Sequence, residues 1–224
     1  MSPSGPSGRG VDPGGDTMAD RSVATSRRVR LDQGEVVTAA EEIVDRVGWD
    51  GLTMTVLAGE LGIKVPSLYS HVRSLDAVRG SIQVRTMEAL GAELRTAAMG
   101  QSGAAGVAHL AAVYRAFVRS WPRRYEGTTR EPIDRDAFLA ASLDANDALR
   151  AMLRSLDLDG EDLLYAEIAV FAALHGFATL EASRFFGDVF DADRVFALVL
   201  EGALAPLTTP TLSATFPSEP RLPA

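Results

Sequence analysis

Apolar residues recur at helical spacing in a series of segments between Leu31 and Leu204, each opened by a cap and closed by a break. The pattern predicts an all-α chain. The first helix opens at a capping box, Asp32 with Glu35, inside a Leu31/Val36 hydrophobic staple. Its inward stripe reads Val36, Ala39, Ala40, Ile43 and Val47, and Gly48 ends it. Thr53 caps a second helix, with Leu52 and Leu57 as staple and Leu57, Ala58 and Leu61 facing inward. Gly62 supplies a left-handed stop. A third helix starts at Pro66, where a first-turn proline loses no intrahelical bond. It is barely two turns long, with Leu68 and Val72 inward.

Ser74 caps a fourth helix running to about Ala98, with Leu75, Val78, Ile82, Met87, Leu90 and Leu94 apolar. It is long enough to leave one packing unit and enter a second. The stretch 100–106, GQSGAAG, reads as a break, and a fifth helix follows from about Val107 to Trp121, stopped by Pro122. Its inward residues are Leu110, Val113, Tyr114, Phe117 and Val118. Residues 122–132 are polar, with room for a short turn of helix. Asp134 caps the next long helix, with Ile133 and Phe138 as staple and Leu139, Leu143, Leu149, Met152, Leu153 and Leu156 on its apolar positions. Asp159 caps another, with Leu158 and Leu163 at the staple positions. The last helix starts at Asp191, with Phe190 and Val195 as staple, and runs to about Leu204.

The helix from Leu163 to Leu180 is apolar almost all round, broken mainly by Glu167 and His175. Such a helix needs burial on two sides. One side faces the protomer's own core. The other is met most simply by a second copy, through a four-helix bundle about a two-fold axis; a central helix inside a monomer is the alternative. A homodimer is therefore expected.

The third helix leaves Pro66, Ser67, Tyr69, Ser70 and His71 outside, a solvent-facing row of hydroxyls and imidazole. Such groups can donate to phosphates and base edges without burying a fixed charge, which suits a helix set in a DNA major groove. A plain helical hairpin is the competing reading. The stretch resembles the helix-turn-helix of the tetracycline-repressor (TetR) family of transcription regulators. The residues that carry the resemblance are the preceding helix, Gly48, Gly51, Leu52, Thr53, Leu57, Ala58, Leu61, Gly62, Ile63, Pro66, Leu68, Tyr69, His71 and Val72. The resemblance implies an N-terminal three-helix DNA-binding domain followed by a helical ligand-binding and dimerisation domain. It also implies a repressor released from a palindromic operator by a small-molecule inducer. Pro66, Ser67, Tyr69 and His71 match positions that touch DNA in the family, with Tyr69 and His71 on phosphates. Thr55, Lys64, Val65 and Ser70 match the variable positions that set sequence preference. Two departures weaken the electrostatic grip. Leu75 stands where the family often has a phosphate-gripping lysine, passing that role to Ser74, Arg73 or backbone N–H groups. Thr55 replaces a common arginine or lysine. Residues 117–122 and 173–177 further resemble the subgroup named for a Trp-His-Gly signature, with Leu174 at the tryptophan's place.

Composition sharpens this. The chain of 224 residues has a net charge of −8, which by itself disfavours DNA. From Arg21 to Arg79, however, eight Lys/Arg balance eight Asp/Glu, and the acid lies mostly beyond Gly80. Without cysteine there are no disulfides, thiol catalysis or cysteine-ligated metals, which fits the cytoplasm. The three histidines carry no metal-ligand spacing, and no cofactor is expected. No run of 18 apolar residues calls for a membrane span, and the N-terminus lacks the apolar segment of a signal peptide. Residues 1–26 and 206–224 read as disordered tails, flanking a DNA-binding domain at 27–78 and a second domain at 79–205. Met18 is a second candidate start. Arg27, Arg28 and Arg30 form a small basic arm ahead of the first helix. No G-x-S-x-G, H-E-x-x-H, Walker or G-x-G-x-x-G motif appears, so no enzyme is expected. An all-α enzyme or small-molecule carrier with an incidental hairpin is the rival. Tyr114, Trp121, Tyr125, Phe138, Phe171 and His175 are the candidate ligand-site residues. His175 is the one imidazole in a deeply apolar helix, and reads either as a core histidine or as a sensor.

Overall fold

The computed structural model describes residues 31–185, 187 and 191–207. The expected N-terminal tail with its basic arm, the staple residue Phe190 and the tail beyond residue 207 lie outside them. Among the described residues there are nine α-helices and no strand: α1 Gln33–Val47, α2 Met54–Glu60, α3 Val65–Leu68, α4 Leu75–Ala98, α5 Gly103–Ser120, α6 Pro122–Thr128, α7 Arg135–Arg154, α8 Gly160–Ala182 and α9 Ala192–Leu204. The chain is all-α, as its periodicity predicts.

Most helix starts follow their capping residues. Glu35 N–H donates to Asp32 Oδ1 and Asp32 N–H to Glu35 Oε2, each at 2.8 Å, closing the capping box of α1. Thr53, Ser74, Asp134 and Asp191 likewise accept from first-turn N–H groups. Asp159 does not. Gly48 and Gly62 turn the chain at φ 87° and 65°. At Gly62 this lets the Ile63 N–H close α2 onto the Ala58 carbonyl at 3.0 Å.

Two hydrophobic clusters result. The first holds Val36, Ala40, Ile43, Val44, Leu52, Leu57, Leu68 and Val72 with Val78 and Ile82 of α4. The second holds Met87, Leu90 and Leu94 of α4 with residues of α5 to α9. One unbroken helix therefore serves both clusters, referred to below as the head and the body.

Several local expectations are corrected. The buried face of α1 includes Val37 and Val44, while Val47 is 52% exposed. Both α4 and α6 pack on α1 beside α2, which broadens that face and shifts it one residue round. α3 is a single α-helical turn; the chain from Tyr69 to His71 continues as turns, with His71 N–H on the Leu68 carbonyl at 2.9 Å. α5 begins at Gly103, so most of the glycine-rich stretch is helix. Gly103 N–H donates to Ser155 Oγ at 2.6 Å, and a Cβ on Gly106 would sit 2.7 Å from the Met152 sulfur. Pro122 opens α6 rather than only stopping α5. On α7, Leu139 and Leu143 point outward, 53% and 48% exposed. Its buried face is Ala141, Ala145 and Ala148 followed by the expected Leu149, Met152 and Leu153, and α4 approaches closely at the alanines: a Cβ on Gly91 would lie 3.1 Å from Ala145 Cα. Beyond α9 the chain makes a 3-10 turn, Ala205–Leu207, and Leu207 still packs on the body.

α8 has the length and mean hydropathy, 1.6, that a membrane span would need, although no uninterrupted apolar run announces it. It carries Glu167, 6% exposed, whose carboxylate accepts from Arg150 of α7 at 2.8 and 3.0 Å. A paired carboxylate in mid-helix, and neighbours on α5, α7 and α9, place one side of it in the core of the body.

α6 lies between head and body. Trp49, in the 3-10 turn Trp49–Gly51, is 4% exposed, and its six-membered ring lies against Gly127. A Cβ on Gly127 would overlap that ring. Gly127→Ala is therefore expected to cost about 1–3 kcal/mol. Gly59, with open space around it and an ordinary helical backbone, is the control: Gly59→Ala is expected to stabilise by about 0.5–1 kcal/mol. Urea unfolding midpoints measure both.

Candidate DNA interface and ligand site

The head offers a short polar face. Thr53 caps α2 so that Thr55 projects from its first turn, exposed. Leu68 and Val72 are buried, and their anchoring turns Pro66, Ser67, Tyr69 and Ser70 outward. Tyr69 is 54% exposed. Lys64 and Arg73 flank the row, both exposed, and His71 is half-buried. Ser70 Oγ donates to the Ser67 carbonyl at 2.6 Å, which ties part of this row to its own backbone. Val65 departs from expectation: it is half-buried against the head cluster, because the single-turn helix rotates it inward. Ser74 keeps its hydroxyl on the Ala77 N–H, at the start of the 24-residue α4.

Four of the six candidate ligand residues meet. Tyr114 of α5, Tyr125 of α6 and Phe171 and His175 of α8 form one cluster. Tyr125 Oη lies 2.7 Å from His175 Nδ1, Tyr114 Oη lies 3.3 Å from the same nitrogen, and the two phenols bond to each other. Phe171 stacks on the imidazole at 5.5 Å and meets Tyr114 edge-on at 6.4 Å. Burial pushes the Tyr125 phenol up to about 12 and Tyr114 higher still. Burial also lowers the His175 pKa below its ordinary value.

The other two do not join. Trp121 is 38% exposed at the α5–α6 junction, with the Arg124 guanidinium 4.3 Å over its ring. Phe138 is half-buried near the start of α7, against the body cluster.

α6 touches the head from its other side. Arg124 forms a bidentate pair with Asp45 of α1 and approaches Glu41 at 3.9 Å. Arg123 donates to the carbonyls of Asp45 and Arg46, and Arg130 pairs with Asp50 at 2.9 Å. From α4, Gln83 Nε2 donates to the Gly127 carbonyl at 2.9 Å, and Gln83 Oε1 accepts from Ile133 N–H at 3.1 Å. Arginines and one glutamine in a polar stretch carried no periodic signal, so sequence reasoning missed them.

A third feature is an apolar face. On α8, Leu164, Tyr165 and Ile168 are 50%, 64% and 54% exposed, and Leu198 of α9 is 61% exposed. α9 is held in the body by Arg115, itself 8% exposed. Its guanidinium bonds Glu181 of α8 at 2.5 and 2.8 Å, meets Asp193 of α9 at 2.8 Å and lies 4.6 Å over the Phe196 ring.

Comparisons with known proteins fit this geometry. Residues 107–203 match the family model described as "Tetracyclin repressor-like, C-terminal domain". The chain is 36% identical over 186 residues to an uncharacterized HTH-type transcriptional regulator, Rv0681, of Mycobacterium tuberculosis, covering 82% of this chain and 85% of that one. The chain belongs to the tetracycline-repressor family. Over 58 residues, 26% of this chain and 27% of the relative, it is 40% identical to the class D tetracycline repressor of Escherichia coli. Its fold resembles that of a TetR variant from Acinetobacter baumannii AYE solved in complex with minocycline, with a TM-score of 0.59 and 22% identity over 79% of this chain and 96% of that one. As a TetR-family member, the protein is a DNA-binding transcriptional regulator.

The lowered His175 pKa has a consequence for this TetR-family protein. The unfolded chain takes up the imidazole proton at higher pH than the folded one, so stability is full above about 6.5 and falls as pH drops through the folded value. Chemical denaturation between pH 7.5 and 5 is expected to show this loss, with a shallower slope in His175→Gln.

Proposed function

We propose that the protein is a homodimeric repressor that leaves a palindromic operator when a small molecule binds beside Tyr114, Tyr125, Phe171 and His175. The observation that carries the reading is the position of α6. Its Tyr125 bonds His175, while Arg123, Arg124, Gly127 and Arg130 of the same short segment lie against α1 and Trp49–Gly51. A ligand that moves Tyr125 moves a helix bound directly to the head. This is a shorter lever than α4 alone, which Gln83 ties to the same segment. A ligand shifts the equilibrium only through its different affinity for the two arrangements of the heads. A coupling of about 1–3 kcal/mol is the usual scale, and by linkage DNA weakens the ligand by the same factor. That a TetR variant of similar fold was solved in complex with minocycline is in keeping with a small-molecule ligand.

In this reading Tyr69 and His71 hold phosphates, Pro66 and Ser67 pack on the backbone, Arg73 adds charge, and Thr55, Lys64 and Ser70 read bases. Val65 plays a smaller part than Lys64, being turned into the head cluster. Two copies are needed because one turn of helix reads few bases, and a two-fold dimer spans successive major grooves about 34–36 Å apart. The exposed stripe of Leu164, Tyr165, Ile168 and Leu198 is the surface for the second copy. The head and body clusters are the DNA-binding and ligand-binding domains of this reading.

Tyr69→Phe is expected to weaken binding by about 1.5–3 kcal/mol on every sequence alike, since a phosphate contact carries no base information. Fluorescence anisotropy on DNA from upstream of the protein's own gene measures it; an unchanged affinity, or relaxation at one base pair only, would sink the phosphate role. Leu198→Glu is expected to halve the mass seen by light scattering, because a carboxylate buried without a partner costs several kcal/mol. Val199, half-buried against the protomer's own body, is the less suitable position. A wild type that scatters as a monomer at micromolar concentration overturns the dimer.

A further inference from the structure

The cluster around His175 can be counted proton by proton. Tyr114 and Tyr125 are each 4% exposed, so each phenol proton needs an acceptor inside the cluster. The polar atoms within reach are the two phenol oxygens and His175 Nδ1. If Nδ1 carried a proton it could not accept, the two phenol O–H groups would have only their one mutual O–O contact to share, and one of them would be left without an acceptor. With Nδ1 bare, Tyr114 O–H donates to Tyr125 Oη, Tyr125 O–H donates to Nδ1 at 2.7 Å, and every proton is satisfied. The imidazole proton then sits on Nε2. Nε2 has no partner among the described residues, although His175 is half-buried. One turn further along α8, roughly 6 Å away, Thr179 has a buried hydroxyl that also lacks a partner. The ridge Phe171, His175, Thr179 thus joins a flat apolar wall to two unused polar groups.

Resting on the ligand-release reading above, we infer that the ligand is an uncharged, largely apolar molecule bearing a carbonyl-type acceptor, which accepts from His175 Nε2–H. A carboxylate is disfavoured because the two arginines of α5 and α6 that are not exposed are already engaged. Arg115 serves Glu181 and Asp193, and Arg124 serves Asp45 and Glu41. Burial, which holds the imidazole neutral, acts in the same sense. The acceptor requirement separates a ketone, ester or amide from a hydrocarbon of the same shape.

The test uses the full-length dimer at pH 7.5. A long-range 1H–15N spectrum, with the His175 signals assigned by their loss in His175→Gln, is expected to show the Nε2–H tautomer; the Nδ1–H tautomer overturns the inference. Titration then compares 2-alkanones of six to twelve carbons with the matching alkanes and alkanoates. The best ketone is expected to bind roughly five- to tenfold tighter than its alkane, the worth of one neutral hydrogen bond, to bind tighter than its alkanoate, and to shift His175 Nε2. His175→Phe is expected to erase the ketone's advantage. Equal binding of ketone and alkane, preference for the alkanoate, or no binding by any series overturns the inference. DNA binding by the same samples, without any ligand, reports on the regulator reading separately.

Discussion

The contact between Trp49 and Gly127 holds the molecule in its arrangement. A tryptophan ring set against a glycine leaves no room for a side chain and brings α6 onto α1 at backbone distance. Around it polar groups pair in one pattern: Arg124 on Asp45, Arg130 on Asp50, and Gln83 across the Gly127 and Glu131 carbonyls, while Arg79, on the Trp49 carbonyl, keeps a buried Nε without a partner. Gln83, buried and bonded through both the oxygen and the nitrogen of its amide, specifies one geometry more sharply than an apolar contact, which tolerates sliding. Head and body are thus joined by α4 through the chain and by α6 through side chains.

The body uses charge in the same way. Arg115 and Glu167 are buried, and each has partners on a neighbouring helix. A single lost partner leaves a buried charge uncompensated, so each pair fixes a neighbour in register even where it adds little net stability. Arg115 also stands over Phe177 and Phe196, so one guanidinium orders α5, α8 and α9 together.

Much of this was legible in the sequence. Helix starts at Asp32, Thr53, Ser74, Asp134 and Asp191 follow from local hydrogen bonding, which neighbours in the chain decide. The all-α class and the head with its outward Tyr69 followed from periodicity and resemblance, whereas Tyr114 and His175 were candidates by residue type, with nothing in the chain to say that they touch. What escaped depends on partners distant in sequence. Leu139 and Leu143 have the right spacing for a core, yet they face outward, and Gly91 of α4 instead comes against Ala145. The helical start at Gly103 depends on Ser155, fifty-two residues away. Trp121, a candidate pocket wall, stands apart from the cluster, 38% exposed with the Arg124 guanidinium over its ring. The polar bridge of α6 has no period at all, so only the folded chain displays it.

The alanine face of α7 against Gly91 also determines how α4 can move. Leucines that interlock across a helix pair act as teeth, and displacement must lift one set over the other. Alanine and glycine make a nearly smooth track, along which small shear displacements meet little steric resistance. The track has a stop at each end: Gln83 near the head, and the pairing of Arg95 with Asp144 near the far end. Any such shear is confined to that level, since α4 also buries Met87, Leu90 and Leu94 and α7 buries Leu149, Met152 and Leu153 in the same cluster.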